Sequence, residues 1–191
     1  MAQRASAVVI CTTPSASLRP GISSLRVRLN SRLGAVARGA LLAAALAASP
    51  LHAQSNNVRI TKLSDVAFGA IANVGADATS SQSLCVYANT AIRGYRITAS
   101  GSAPGGAFSL TSGSFLLNYE VQWNQAPNQS SGTQLSPNVT LTGLISSATQ
   151  QTCNSGPATS ASLILVLRSS ELSSARAGSY SGTLTLLVGP E

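Results

Sequence analysis

Histidine and acidic residues are scarce in this sequence of 191 residues. It contains one histidine, His52, and five aspartates or glutamates against twelve lysines or arginines. A catalytic serine needs a base beside it, and the common zinc sites need histidines or several cysteines. After residue 53 the sequence has no histidine and a single lysine, Lys62. This composition argues against an enzyme and against a zinc site, and we expect no cofactor.

The few internal carboxylates offer little chemistry of their own. A pair of them could serve a glycosidase, and Asp77 with nearby carbonyls could hold calcium. Glu120, however, alternates with Tyr119 and Val121, so we expect it to face solvent or an adjacent strand. We therefore predict no catalytic residue and no metal ligand. The internal carboxylates are Asp65, Asp77, Glu120 and Glu171.

The amino-terminal third has the pattern of a secretory signal peptide. Six arginines precede an Ala/Leu run over residues 40–48, which is followed by Ser49-Pro-Leu-His-Ala53. A positive segment, an apolar segment too short to span a bilayer and a small residue at the cleavage point are typical of such leaders. We predict that residues 1–53 form the leader and that cleavage follows Ala53. A start site further downstream, near Val27 or Leu33, and an organelle transit peptide are alternatives.

Removal of this leader changes the charge of the protein. Residues 54–191 hold six basic and five acidic residues, a net charge of +1, and the basic residues are scattered along the chain. Nucleic-acid binding requires a clustered basic patch, so we do not expect a nucleic-acid partner. We expect a single exported domain over residues 54–191, with no stable membrane insertion after cleavage.

Two cysteines remain after the leader, Cys85 and Cys153. In an exported protein with two cysteines, the simplest interpretation is one disulfide formed in an oxidising compartment such as the periplasm. Two free buried thiols are the alternative.

The last strand has the clearest pattern in the sequence. Over residues 177–188, apolar side chains alternate with Ser181, Thr183 and Thr185, as in a half-buried β-strand. Only three residues follow, so the open edge beside this strand would need cover from elsewhere. The residues predicted to form an edge strand for pairing with another chain are Tyr180, Leu184, Leu186 and Val188.

Other short strands precede it, and no stretch of residues 54–191 has a convincing helical period. Residues 163–167 are apolar on both faces, which predicts a central strand or one flanked by another chain. Residues 170–175 are expected to form one helical turn. Short strands, turn signals and abundant Ser, Thr, Gly and Asn indicate an all-β sandwich. The remaining predicted strands are residues 58–61 joined by a bend to 66–69, 84–87, 95–99, the hairpin 108–110 and 115–123, and 139–144.

With these elements in place, the chain resembles the spore coat protein U family, whose members include subunits of archaic chaperone-usher pili. The resemblance lies in Phe68-Gly69, Cys85 followed by Tyr95-Arg-Ile-Thr98, Leu117-Asn-Tyr119 and Ala177-Gly-Ser-Tyr-Ser-Gly-Thr-Leu-Thr185. It implies an incomplete immunoglobulin-like β-sandwich that lacks its final strand and is completed by a donor strand. The implied partners are a periplasmic chaperone, an outer-membrane usher and neighbouring pilus subunits. The implied destination is a fimbria on the cell surface, reached through the periplasm.

Two features depart from the family pattern. The family often has a further cysteine in the first strand, where this chain has Leu63-Ser-Asp65. A donor segment needs about ten extended residues with alternating apolar side chains, and only Gln54-Ser-Asn-Asn57 precede Val58. If residues 58–68 are the subunit's own first strand, little remains to donate, which favours a tip or minor subunit. A short donor at residues 58–63 is the alternative.

A different class of function centres on Trp123, which ends its predicted strand and leads into the polar loop 124–138. An aromatic face beside amide side chains could bind sugar, which would make the protein a self-complete, secreted carbohydrate-binding sandwich. The other interpretation places Trp123 in the core, where it closes one end of the sandwich.

Overall fold

The computed structural model describes residues 56–191 in full and residues 3–11 as the backbone of one strand. The predicted all-β fold is confirmed: 53% of residues 56–191 is strand and 7% is helix, and two mainly antiparallel sheets pack as a sandwich. The elements are β1 (Gln3–Cys11), β2 (Asn57–Thr61), β3 (Val66–Ile71), β4 (Ala78–Asn89), β5 (Gly94–Gly101), β6 (Ser109–Ser112), β7 (Phe115–Asn118), β8 (Glu120–Asn124), β9 (Thr133–Leu135), β10 (Thr140–Ile145), β11 (Ala161–Leu167), α1 (Ser169–Ser174) and β12 (Ser179–Pro190).

The described residues leave part of the predicted leader aside. The Ala/Leu run and the predicted cleavage point after Ala53 lie outside them, so the signal peptide stays a prediction. In residues 56–191 we find no helix with the length and apolar character needed to cross a membrane.

The strands form one sheet of seven and one of five. The seven-stranded sheet has the order β10-β5-β12-β1-β3, and β6 and β7 extend it beside β12. The five-stranded sheet has the order β2-β4-β11-β8-β9. All pairs are antiparallel except β1 with β12, which run parallel.

Residues 58–61 and 66–69 were predicted to form one bent first strand, and this prediction is wrong. The residues before the bend form β2, which pairs with β4 in the five-stranded sheet, whereas β3 belongs to the seven-stranded sheet. The chain turns at Lys62, which has a positive φ of 62°. The Lys62 ammonium donates to the carbonyls of Cys153 and Ala158, 3.1 and 2.7 Å away. The break therefore moves the chain between sheets, a larger change than a bulge within one strand.

The predicted hairpin is confirmed, but its second arm is divided between the sheets. β6 pairs with β7, and after Tyr119 the chain continues as β8 in the other sheet. Tyr119 donates its backbone N–H to the Phe108 carbonyl, 3.0 Å away, at this crossing point. The predicted inward face of this arm is nevertheless correct, because alternate side chains stay in the core on both sides of the crossing. They are Leu117, Tyr119, Val121 and Trp123.

The central position of residues 163–167 is also confirmed. All of β11 is buried, and the strand pairs with β4 on one side and β8 on the other. Leu163, Leu165 and Leu167 join the main core. The predicted helical turn is present as α1, which directs Leu172 into the same core.

Two regions differ from the sequence prediction for a clear reason. β4 begins at Ala78, well before the predicted Leu84. The sequence did not reveal this first half of the strand because residues 79–83 are polar and show no apolar alternation. Val139 is 58% exposed and precedes β10, so its predicted place in that strand is wrong. Leu144 is the buried residue of β10.

Candidate functional site

The inner face of β12 consists of the four residues that the sequence singled out. Tyr180, Leu184, Leu186 and Val188 are exposed by 1%, 0%, 0% and 2%, and all four belong to the main core. The Tyr180 hydroxyl donates to the Arg176 carbonyl, 3.1 Å away, which ties the start of the strand to the corner before it. β12 therefore presents one apolar face to the core, as the alternation predicted.

One edge of β12 pairs with strands from the same part of the chain. Leu184 to Pro190 pair with β5, and Ser181 pairs with Thr111 of β6. Thr183 donates its backbone N–H to the Ser102 hydroxyl, 3.1 Å away on this side. Because main-chain groups alternate in direction along a strand, the N–H and C=O groups of Gly182 and Leu184 point to the opposite edge.

The opposite edge of β12 pairs with β1 alone among the described strands. Arg4 to Cys11 align in parallel with Ser179 to Leu186. The register sets Ala7 opposite Gly182 and Val9 opposite Leu184. The second neighbour of β12 is therefore a strand formed by residues near the amino terminus.

β1 also pairs with β3 on its far side. Gln3 to Ala7 align antiparallel with Ile71 to Val66, and the register shifts between Ala5 and Ser6. Gly69 in β3 has a positive φ of 69° at this irregularity, a conformation that suits glycine. β3 and β12 are therefore two strand spacings apart, about 10 Å, and without β1 they could not pair with each other. We call the space between them the acceptor gap, bounded by β12 and β3.

A glycine marks the middle of the β12 wall. A Cβ atom built on Gly182 would lie 3.0 Å from the Ser109 carbonyl oxygen and 3.1 Å from Leu110 Cδ2. Leu110 is fully buried, so its side chain already fills the space that a larger residue at position 182 would need. A side chain at position 182 would therefore be crowded, and Ser109 and Leu110 would have to shift to admit it.

Trp123 does not lie at a surface suited to ligand binding. It is 1% exposed, and its indole N–H donates to the Tyr95 hydroxyl, 3.1 Å away. The two rings meet edge to face with centroids 6.5 Å apart. Burial raises the pKa of Tyr95 to about 12, so its hydroxyl stays protonated at neutral pH. The geometry agrees with the core interpretation of Trp123, because a ring buried to this extent offers no face to a sugar.

Cys85 and Cys153 form the predicted disulfide. Cys85 lies on β4, and Cys153 lies in the loop between β10 and β11. With Ala148 they make a small cluster of buried residues separate from the main core. The bond fastens this loop to the five-stranded sheet, whereas both walls of the acceptor gap belong to the seven-stranded sheet.

The carboxylates Asp77 and Glu120 share one arginine. Arg168 Nε lies 2.9 Å from Glu120 Oε1, and Arg168 Nη1 lies 2.8 Å from Asp77 Oδ2. Hydrogen bonding to Arg168 lowers the pKa of Glu120. The pKa of Asp77 is lowered mainly by the hydrogen bond from the backbone N–H of Ser169, and to a lesser extent by the hydrogen bond from the Arg168 side chain. Glu120 thus faces an adjacent strand, as predicted, and the oxygens of Asp77 that would bind calcium accept hydrogen bonds from Ser169 and Arg168 instead.

No group of three or more histidine, cysteine or acidic side chains suited to a metal ion occurs in the described part of the chain. The most distinctive feature is therefore the acceptor gap. Sequence analysis identified its β12 wall but missed both β3 as the other wall and residues 3–11 as the strand between them. The run Val8-Val9-Ile10 has the β-branched residues of a strand and was the available signal.

No protein-family model matches the chain, and no curated protein is significantly similar to it.

Proposed function

We propose that the protein is a secreted structural subunit of a surface fimbria, assembled through a strand supplied by another chain. The single observation that carries this proposal is the acceptor gap. Within residues 56–191, nothing pairs with the gap-facing edge of β12, and the strand that does so comes from the predicted leader. After removal of the leader, unpaired main-chain groups and apolar core would be open to an incoming strand.

The strand order supports an immunoglobulin-like sandwich that lacks its last strand. In such domains one sheet has the order A-B-E-D and the other C-F-G. Here β2-β4-β11-β8 matches the first order, and β5-β12 matches C-F. Tyr180 also resembles the tyrosine found near the start of strand F, whose hydroxyl binds a backbone carbonyl a few residues upstream. The acceptor gap is then the place of strand G.

Three of the five segments that resemble the spore coat protein U family lie on the walls of this gap or on the strand paired with β12; Cys85 and Leu117-Asn-Tyr119 lie elsewhere. Phe68-Gly69 are part of β3, and Ala177–Thr185 lead into and form most of the β12 wall. Tyr95–Thr98 belong to β5, the strand that pairs with β12. This placement supports membership in that family and the partners it implies: a periplasmic chaperone, an outer-membrane usher and neighbouring subunits.

The first strand bears on the position in a fibre. β2 pairs with β4 along its whole length, from Asn57 to Thr61, so it serves as the domain's own strand. With cleavage after Ala53, three residues would precede β2, which is too short for a donor segment. We therefore propose a tip or minor subunit, which accepts a strand and gives none.

The test is expression of residues 54–191 in a bacterial periplasm, alone and with a candidate periplasmic chaperone from a chaperone-usher system. We expect the lone domain to be degraded or to aggregate, and we expect a one-to-one complex when the chaperone is present. A soluble monomer with one cooperative melting transition in the absence of any partner would overturn the proposal. In that case a self-complete domain that binds carbohydrate would regain weight, although it would need a surface other than Trp123.

A further inference from the structure

The strand that fills the acceptor gap belongs to the same chain. β1 pairs with both walls at once, parallel to β12 and antiparallel to β3. It covers Ser179 to Leu186 of β12 and Val66 to Ile71 of β3, so it reaches across most of both walls. A strand in this position completes the seven-stranded sheet without any second molecule.

We propose that residues 3–11 act as an intramolecular cap on the acceptor gap, and that removal of the leader is the event that opens the gap to a partner strand. The proposal rests on the proposed function, because it takes the gap to be the place where a partner binds. It adds a regulatory step: the precursor is self-complemented, and the processed protein is not.

The sequence of residues 3–11 suits this role. It has no proline and no glycine, and it includes the β-branched run Val8-Val9-Ile10. The first proline of the chain is Pro14, just beyond the end of β1. Proline cannot donate to a sheet ladder, so Pro14 limits how far this strand could extend.

Chain length poses no obstacle to the cap. The 45 residues 12–56 connect Cys11 with the start of β2, and at roughly 3.3 Å per extended residue they can span more than 100 Å. This length exceeds the dimensions of a domain of this size, so β1 can reach the gap from its own chain.

The test compares variants of the full chain, refolded with its leader attached under oxidising conditions. Each protein has Cys11→Ala, so that only Cys85 and Cys153 can pair. Val8→Pro places a proline within β1, opposite Thr183 of β12 and next to the end of the pairing with β3, where it removes a main-chain donor from the strand. Ser17→Pro is the matched control, because it adds a proline to the leader outside β1.

We expect the parent and Ser17→Pro to be monomers with the same melting temperature, and Val8→Pro to melt about 10 °C lower. A synthetic peptide of residues 3–11 with the same Cys11→Ala change, added in excess, should restore most of the loss in Val8→Pro. Equal melting of all three proteins would overturn the proposal. So would a dimeric parent, which would show that the strand enters a second copy, or a precursor mass that places the start site beyond Cys11.

The two proposals can fail separately. If residues 54–191 require the chaperone but Val8→Pro has no effect, the cap is wrong and the assembly proposal stands. If residues 54–191 form a stable monomer alone, the assembly proposal fails whatever Val8→Pro does.

Discussion

The two long apolar strands β11 and β12 occupy similar central places in their sheets but are held in different ways. β11 pairs with β4 and β8, which both come from residues 78–124. β12 pairs with β5 and β6 on one edge and with β1 on the other. One strand therefore has permanent neighbours on both sides, whereas the other has one permanent edge and one that depends on residues 3–11.

Polar contacts increase this contrast. Arg168, directly after β11, binds Glu120 on β8 and Asp77 just before β4, so one guanidinium joins all three strands. The disulfide at Cys85 adds a covalent tie on β4. The strands of the five-stranded sheet are thus tied by an ion-pair cluster and a disulfide, and under the proposed function the seven-stranded sheet contains the edge that would accept a partner strand.

The strongest test of this contrast is removal of the disulfide. The double change Cys85→Ala and Cys153→Ala opens a loop of 68 residues in sequence separation. The chain-entropy model predicts a loss of about 4 kcal/mol in the free energy of unfolding. Urea unfolding of the full chain would measure it, with Cys11→Ala present in both proteins. A loss below about 1 kcal/mol would show that the five-stranded sheet does not depend on this tie.

A second test concerns the hydrogen bond that joins β8, a neighbour of β11, to β5, a neighbour of β12. Tyr95 on β5 accepts a hydrogen bond from Trp123 on β8, so Tyr95→Phe would leave a buried indole N–H without its partner. We expect a cost of about 1–3 kcal/mol in unfolding free energy. Tyr119→Phe is the matched change, because the Tyr119 hydroxyl is buried with no hydrogen-bond partner among the described residues. It should be neutral or stabilising, and equal losses for the two variants would contradict this assignment.

Much of the contrast could be predicted from sequence, because alternation and strong apolar character are local signals. The inner face of β12, the central position of β11 and the pairing of Cys85 with Cys153 follow from residue type and spacing. Assignment of strands to sheets could not be predicted in this way. The chain changes sheet at Lys62 and at Tyr119, and both changes depend on distant partners, Cys153 and Ala158 in one case and Phe108 in the other.

Only one wall of the acceptor gap, β12, could be predicted from the sequence. The β12 wall has its own pattern, whereas the acceptor gap exists because β3 and β12, more than 100 residues apart, lie on either side of one strand. Residues 3–11 have strand-forming residues, yet the arginines and the Ala/Leu run around them favour a leader. A segment can be both part of a leader and a strand of the sheet, and only the register with β12 and β3 shows that it is a strand.

The smallest expected effect lies at the Arg168 cluster and appears as pH dependence. Because Arg168 lowers the pKa of Glu120 in the folded protein, the pair stabilises the fold above the unfolded pKa of about 4.3, and this contribution is lost as pH falls through the lower folded value. Both partners are partly exposed, so Glu120→Gln should cost less than about 1 kcal/mol at pH 7. The difference from the parent should shrink towards pH 3 and in 1 M salt. Asp65→Asn is the control for loss of one negative charge. Since Arg168 joins β11 to both of its neighbours, a difference between parent and Glu120→Gln that stays constant from pH 7 to pH 3 would show that packing, and not charge, holds the end of β11.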